Sequence, residues 1–411
     1  MTSFDPRRVR ADTPLFSRVI NDHPIAYLDS AASSVPPRTV IEAMSRHYER
    51  RHANVHRGVY QTANESTHDY EHAREAIARF INAPAGANEI VFTKNATESF
   101  NLLAKSWGAA NLKAGDVVLI SEMEHHANIV PWFQLREALG IEVRFIPVGD
   151  DFRLDLSSID ELLAGVKLVS VTAMSNVLGT VTPLKELARV AHDHGALIAV
   201  DAAQSVGHSS TDVTDVDVDF FIFSAHKMLG PTGLGIFWTR QDILAEMPPF
   251  LGGGGMIADV STTGYVPAKG PARFEAGTPP IAEAAGLAAA VLYLEGLGMD
   301  NVHEHERRLT EDALTRLEAE FDGRIQVIGP ATTHERGGVI SLDVKGVHAH
   351  DVAQVLDQYG VCVRPGHHCA KPLMKRFNLS ATARASYGPY SLIADTDALL
   401  EALGDAVKLF G

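Results

Sequence analysis

Residues 198–208 read IAVDAAQSVGH, and residues 219–233 read DFFIFSAHKMLGPTG. A short apolar run at 196–200 ends in Asp201. A second, at 220–223, ends in Ser224-Ala-His-Lys227 and a Gly/Pro loop. Continuous apolar runs of this length, bounded by turn residues, are the mark of strands buried on both faces. The same alternation extends on either side. Runs at 89–92, 116–120, 142–147, 167–172 and 235–238 are strand-like, with helical patterns at 97–107 and 128–139. The reading is an α/β fold with a mostly parallel, seven-stranded sheet and helices on both faces. Ligands of such sheets bind at the carboxyl ends of the strands, where Asp201 and Lys227 both fall.

An acid and a lysine at neighbouring strand ends, 26 residues apart, suit pyridoxal phosphate chemistry. The lysine holds the cofactor aldehyde as a Schiff base. The acid keeps the pyridine nitrogen protonated, so the ring can accept electrons. Taken alone, the pair reads equally as an ordinary strand-end acid and a solvated lysine.

Composition narrows the classes. The chain has 411 residues, 45% of them hydrophobic, enough for a large core and two domains. Net charge is −15, and no basic cluster of the kind that neutralises nucleic-acid phosphates is present. No apolar run approaches 20 residues and the first ten are polar and charged, so the expectation is no membrane span and a cytoplasmic location. Two cysteines, Cys362 and Cys369, make no disulfide framework and fit a reducing compartment.

Beyond residue 250 the pattern changes. Residues 251–269 carry four consecutive glycines and read as a loop or hairpin. Long helices are expected at 281–296 and 299–321, then strands at 338–344 and 361–363 alternating with helices at 349–359 and 396–410. The division expected is an N-terminal segment (1–21) packing on the small domain, a large domain (22–295) and a small α+β C-terminal domain (296–411).

Several constellations carry chemistry. Thr93-Lys-Asn-Ala-Thr-Glu-Ser99 lies at a strand-to-helix junction, where the N–H groups of Ala96 and Thr97 and the Thr97 hydroxyl suit a phosphate; the plainer reading of Thr97 is a helix cap. Ser224 and His226 flank the lysine and suit the same phosphate. In Glu124-His-His-Ala-Asn128, His125 suits stacking on a flat ring and proton relay; paired histidines also serve as metal ligands or solvated loop residues. Asn176, after a strand end, either hydrogen-bonds a ring oxygen or forms a turn. Cys362 alternates with valines and is expected to face a core. Cys369 follows Gly366-His-His, and reads as a nucleophile, an inert thiol or, with His367 and His368, part of a metal site without standard zinc spacing. Arg384, in an apolar run, is either in an internal ion pair or a bidentate clamp for a carboxylate.

These stretches together resemble the class V, fold-type I pyridoxal phosphate enzymes, and within them the SufS-type cysteine desulfurases. The matching segments are AYLDSAAS (26–33), VHRG (55–58), MEHHANIVPW (123–132), SNVLGT (175–180), VDAAQSVGH (200–208), FSAHKMLGPTGLG (223–235), RFEAGTP (273–279), RPGHHCAKPLM (364–374) and RAS (384–386). The resemblance implies a fold-type I transferase with pyridoxal 5'-phosphate on Lys227. Asp201 would pair with the pyridine nitrogen, His125 stack over the ring and Gln204 hydrogen-bond its oxygen. Ala96, Thr97, Ser224 and His226 would bind the phosphate, with Thr278 reaching in from the second subunit of a homodimer. Asn176, Arg364 and Arg384 would orient L-cysteine, and His56 and Arg57 would line the entrance. Cys369 would take the sulfur as a persulfide, without a metal, and pass it to an acceptor of the SufE or SufU kind for iron–sulfur cluster assembly. Ala225 stands where glycine is common in this family, and residues 388–392 depart from its pattern. Selenocysteine lyase, another class V enzyme, or a non-catalytic scaffold on the same fold are the rival readings. A nicotinamide-binding enzyme would need a glycine fingerprint after its first strand, and none stands there.

Overall fold

A computed structural model describes residues 4–410; residues 1–3 of the N-terminal segment lie outside the described residues. Its centre is a seven-stranded sheet built from β1 (Ile90–Thr93), β2 (Val117–Ser121), β3 (Glu142–Ile146), β4 (Val166–Thr172), β5 (Leu197–Asp201), β6 (Phe220–Ser224) and β7 (Gly235–Thr239). The order is β1-β7-β6-β5-β4-β2-β3. The pairs β3-β2-β4-β5-β6 are parallel, whereas β7 runs antiparallel to β1 and β6. Each strand lies within a residue or so of its expected place. The runs read as unbroken apolar stretches because both faces are covered: one core cluster includes Val117, Leu119, Val169, Val171, Ile198 and Val200, the other Val118, Ile120, Leu168, Ala199, Phe220 and Ile222. Side chains alternate between the two faces of a strand, so consecutive residues enter opposite cores.

A second sheet follows, with β8 (Ile325–Ile328), β9 (Val339–Val344), β10 (Arg364–Gly366) and β11 (Thr382–Ser386) in the order β8-β9-β11-β10. It is covered by helices Ala349–Gln358 and Ile393–Phe410 and reached along Met299–Phe321. Its core also takes in Ala26 and Leu28, because Ala26–Tyr27 pairs in parallel with Val361–Cys362. That pairing is only two residues long and leaves Cys362 half-buried, a correction to the expected core position.

The N-terminal helix Pro6–Asp12 touches both parts. Val9 lies in the large core, Asp12 accepts from Tyr293 Oη, and Arg10 pairs with Asp395 at 2.8 Å. The segment after residue 250 forms a hairpin, Ile257–Val260 with Tyr265–Pro267. The helix expected over 97–107 is α-helical over Ala96–Leu102 and widens to π-helical turns over Leu103–Gly108. Among the described residues no single helix is long and apolar enough to cross a membrane.

Candidate functional site

The carboxyl ends of β1, β4, β5 and β6 open onto one cavity of about 220 Å³ between the two sheets. From the large sheet it is lined by Ala96, Thr97, His125, Asn176, Asp201, Gln204, Ser224, His226 and Lys227. From the smaller one come Arg364, His368, Cys369 and Arg384. Twelve of the fifteen expected site residues therefore share one space.

Lys227 sits in the short turn Ala225–Lys227 that ends β6. Gly207 makes this possible: a Cβ there would stand 2.9 Å from the Lys227 carbonyl oxygen. Burial pushes the Lys227 amine from its usual value near 10.5 down to about 8; Asp201 opposes this, and Arg384 and Arg364 add to it. Asp201 is itself buried, which pushes its carboxyl up, against a hydrogen bond from Ala203 N at 3.0 Å and the charge of Lys227. An acid and an amine buried together in this way are each tuned by the other.

The end of the cavity expected to take a phosphate lies where β1 meets helix Ala96–Leu102. Asn95, not Thr97, is the cap, accepting from Glu98 N at 3.0 Å. Ala96 N donates to Ser224 Oγ at 2.8 Å. Gly235 permits the approach, since a Cβ there would lie 2.4 Å from the Asn95 carbonyl carbon. His226 is driven down to about 4 by burial and by Lys227.

His125 begins the turn His126–Asn128, and its Nδ1 accepts from Ala127 N at 3.1 Å. Burial first, then Lys227, drives it down to about 3, so the ring is neutral. Gln204 donates through Nε2 to Ala31 O at 2.7 Å, and its buried Oε1 has no protein partner. The buried Nε of Arg384 also has none. Buried polar atoms of this kind are normally paired. A ligand with both donors and acceptors therefore fits the cavity.

Arg384, on β11, donates through Nη1 to Asn176 O at 2.9 Å and pairs through Nη2 with Asp29 Oδ1 at 3.2 Å. The internal ion pair expected for it is present, and of its nitrogens only the buried Nε lacks a protein partner. Asn176 Nδ2 donates to His368 O at 2.7 Å. His368 and Cys369 both adopt left-handed backbone, φ 50° and 56°. Two such non-glycine residues in succession persist only where surrounding contacts impose them. Here the Cys369 carbonyl accepts from His126 N at 2.8 Å, and Cys369 N donates to His367 Nδ1 at 3.1 Å.

Thr278, His56 and Arg57 do not enter this cavity. They line a second one, of about 260 Å³, with Gly277 and Glu275. Among the described residues no three or more His, Cys, Asp or Glu side chains gather as a metal-ligand set. Three residues on or behind the cavity wall went unassigned from sequence. Asp29 lies in the quoted stretch 26–33, but its partner is 355 positions away. His368, quoted beside Cys369, is buried on the cavity wall with Nε2 on Thr382 Oγ1 at 2.9 Å. Glu124 is buried directly before His125.

The aminotransferase class-V family profile matches residues 26–399. A probable cysteine desulfurase of Streptomyces coelicolor is 47% identical over 99% of this chain and 98% of its own length. A cysteine desulfurase of Escherichia coli is 45% identical over the full length of both. The apo structure of a cysteine desulfurase from Thermococcus onnurineus superposes with a TM-score of 0.94 at 41% identity, covering 99% of this chain and 100% of that one. The chain belongs to the aminotransferase class-V family.

Proposed function

We propose that this chain is a pyridoxal 5'-phosphate-dependent cysteine desulfurase that converts L-cysteine to L-alanine and receives the sulfur on Cys369 as a persulfide. The observation that carries the reading is the single cavity in which Lys227 and Asp201 share walls with Cys369, Arg364 and Arg384. Its full-length relatives bear the cysteine desulfurase name.

Ala96, Thr97, Ser224 and His226 would hold the cofactor phosphate, Asp201 the ring nitrogen, Gln204 the ring oxygen and His125 the ring face. When bound, the cofactor supplies an electron sink that weakens the bonds around the substrate Cα. The remaining work falls to the chain. Lys227 Nζ, made less basic by burial, takes and returns the Cα proton. Arg384 and Arg364 fix the substrate carboxylate, and Asn176 orients it. Cys369 Sγ, as thiolate, attacks the substrate sulfur; the S–S bond forms as the C–S bond breaks, and Cβ keeps that bond's electron pair and takes up a proton to become the methyl group of alanine.

In the same reading the chain divides into the segment 1–21, a large domain 22–295 and a small domain 296–411. The enzyme works as a homodimer in which Thr278 completes the neighbour's phosphate site and His56 and Arg57 its entrance. In support, these three lie together but away from their own Lys227. The cysteine loop is short, four residues between β10 and helix Lys371–Arg376. This supports the SufS branch and transfer to a SufE- or SufU-type acceptor for iron–sulfur cluster assembly; in the same reading the enzyme is cytoplasmic.

The test is alanine and sulfide formation from L-cysteine with reductant present. Wild type should be yellow and form both; Cys369→Ala should keep the colour and lose them. Coloured proteins that form no alanine would sink the assignment.

A further inference from the structure

Glu124 is fully buried, one residue before His125, and is not a cavity residue. Its Oε1 accepts from Ser121 Oγ at the end of β2 and from Thr172 N, at 2.8 Å, at the end of β4. Its Oε2 accepts from Asn128 Nδ2 at 2.8 Å. The direction of the Asn128 amide is not free. Its Oδ1 accepts from Trp132 Nε1 at 3.0 Å and from Ser170 Oγ at 2.6 Å, so Nδ2 must face Glu124. The turn between them is fixed at both ends, and Asn128 N donates to His125 O at 2.9 Å. On its far side Thr172 Oγ1 donates to Asp201 O at 3.3 Å. A buried carboxyl that meets two N–H groups able only to donate, one of them on an amide fixed by its other partners, leaves its neighbours a single arrangement.

We propose that Glu124, clamped by Asn128, is a positioning residue that holds the His125 ring over the Lys227 cavity. This rests on the reading that the cavity takes pyridoxal phosphate with His125 against its ring. Glu124 does not touch the cofactor; it acts through the turn it anchors. A wrongly oriented His125 would alter how the ring is gripped while leaving Lys227 and the phosphate groups in place.

The clamp can be reversed. Glu124→Gln sets an amide N–H against the Asn128 amide, donor against donor. Above about pH 8, where the Glu124 carboxyl that burial pushes up to about 8 is ionised, Asn128→Asp sets one carboxylate against another. In the double variant the amide introduced at position 124 donates to the carboxylate introduced at position 128, whose other oxygen still accepts from Trp132 and Ser170. The full chain is loaded with pyridoxal phosphate, and three quantities are read without L-cysteine: cofactor affinity by equilibrium dialysis, the visible circular dichroism band of the bound cofactor, and the thermal midpoint. Read above pH 8, each single variant should weaken cofactor binding about tenfold or more, the effect of leaving a buried polar group unpaired, and change the band. The double variant should recover both to within about threefold of wild type. In a His125→Ala background, Glu124→Gln should change the band no further.

The proposal is overturned if Glu124→Gln keeps the wild-type affinity and band, or if its effect on the band is undiminished without His125. It is also overturned if the double variant fails to recover, including by failing to fold. If only the thermal midpoint moves, Glu124 is a stability residue and the assignment fails. Because none of these readings uses alanine formation, they stand apart from the desulfurase test. A wild type that binds no cofactor would instead remove the function proposed above.

Discussion

Arg384 and Asp29 face each other across the wall of the cavity, with Nη2 3.2 Å from Oδ1, although 355 positions separate them in the chain. Arg384 is buried and Asp29 about a quarter exposed. The pair turns the guanidinium so that Nη1 reaches Asn176 O, while Nε has no protein partner. Both Nη atoms are thus spent on holding the arginine, and in the proposed reading Nε and the adjoining Nη2 meet the substrate carboxylate.

Arg384→Lys should raise KM for L-cysteine about 10–100-fold, because a point charge cannot reproduce the planar fork. Cofactor content should stay at wild-type level. Asp29→Asn, which loosens the arginine without removing it, should raise KM by a smaller factor. Steady-state kinetics with cofactor quantitation checks both, and a kcat defect at unchanged KM would show that Arg384 does not bind the substrate.

The Lys227 amine gives a pH expectation. Burial lowers its pKa to about 8. A lowered pKa means that the free base, the form that attacks an aldehyde, appears as pH rises through about 8. Cofactor uptake by the apo chain should therefore quicken with rising pH and level off a little above 8. Because Arg384 contributes to the lowering, Arg384→Met should move the midpoint upward. Stopped-flow absorbance measures it, and a midpoint near the usual lysine value in wild type would contradict the burial argument.

The cysteine loop supplies a third test. Left-handed backbone at two successive non-glycine residues costs about 1–3 kcal/mol each, and Asn176 Nδ2 on the His368 carbonyl is one of the restraints. Asn176→Ala should release the loop. Iodoacetamide should then label Cys369 several-fold faster, with mass spectrometry separating it from Cys362, while alanine formation slows. Unchanged labelling would mean that the loop is held by His126 and His367 alone.

The strands were legible because each is an apolar run ending in a small or polar residue, and residues 220–227 show both features at once. The direction of β7 was not. Antiparallel and parallel strands buried on both faces have the same composition, and the short Gly/Pro loop before Gly235 is its only hint. The π-helical turns at Leu103–Gly108 were hidden for a similar reason, since the apolar pattern continues through them. Side chains whose expected chemistry is local, such as Lys227 and Cys369, stand out by type and neighbours. Asp29 and Glu124 do not, because what defines each is a partner brought close only by folding. Cys362 was misplaced because alternation with valines does not say how short a strand will be.

A last expectation concerns His208 and Glu306. His208 Nδ1 lies 2.9 and 3.0 Å from the two Glu306 oxygens, and both residues are buried. Burial pushes the imidazole down, but the Glu306 carboxylate outweighs it, and His208 is held above the usual value near 6.5. The pair joins the segment that carries Asp201 to helix Met299–Phe321, and Gly207 beside it packs on the Lys227 backbone. For a group whose folded pKa is raised, the stabilisation is fully present below the unfolded value and is lost as pH rises through the folded one. Glu306→Ala leaves a buried imidazolium without its partner, which should destabilise the chain by about 3–5 kcal/mol near pH 6. Thermal denaturation of wild type and variant across pH 6–9 should show the gap narrowing as pH rises, because His208 can then shed its proton. A gap that widened toward alkaline pH would mean that His208 is neutral in the folded chain and that the contact is a simple hydrogen bond.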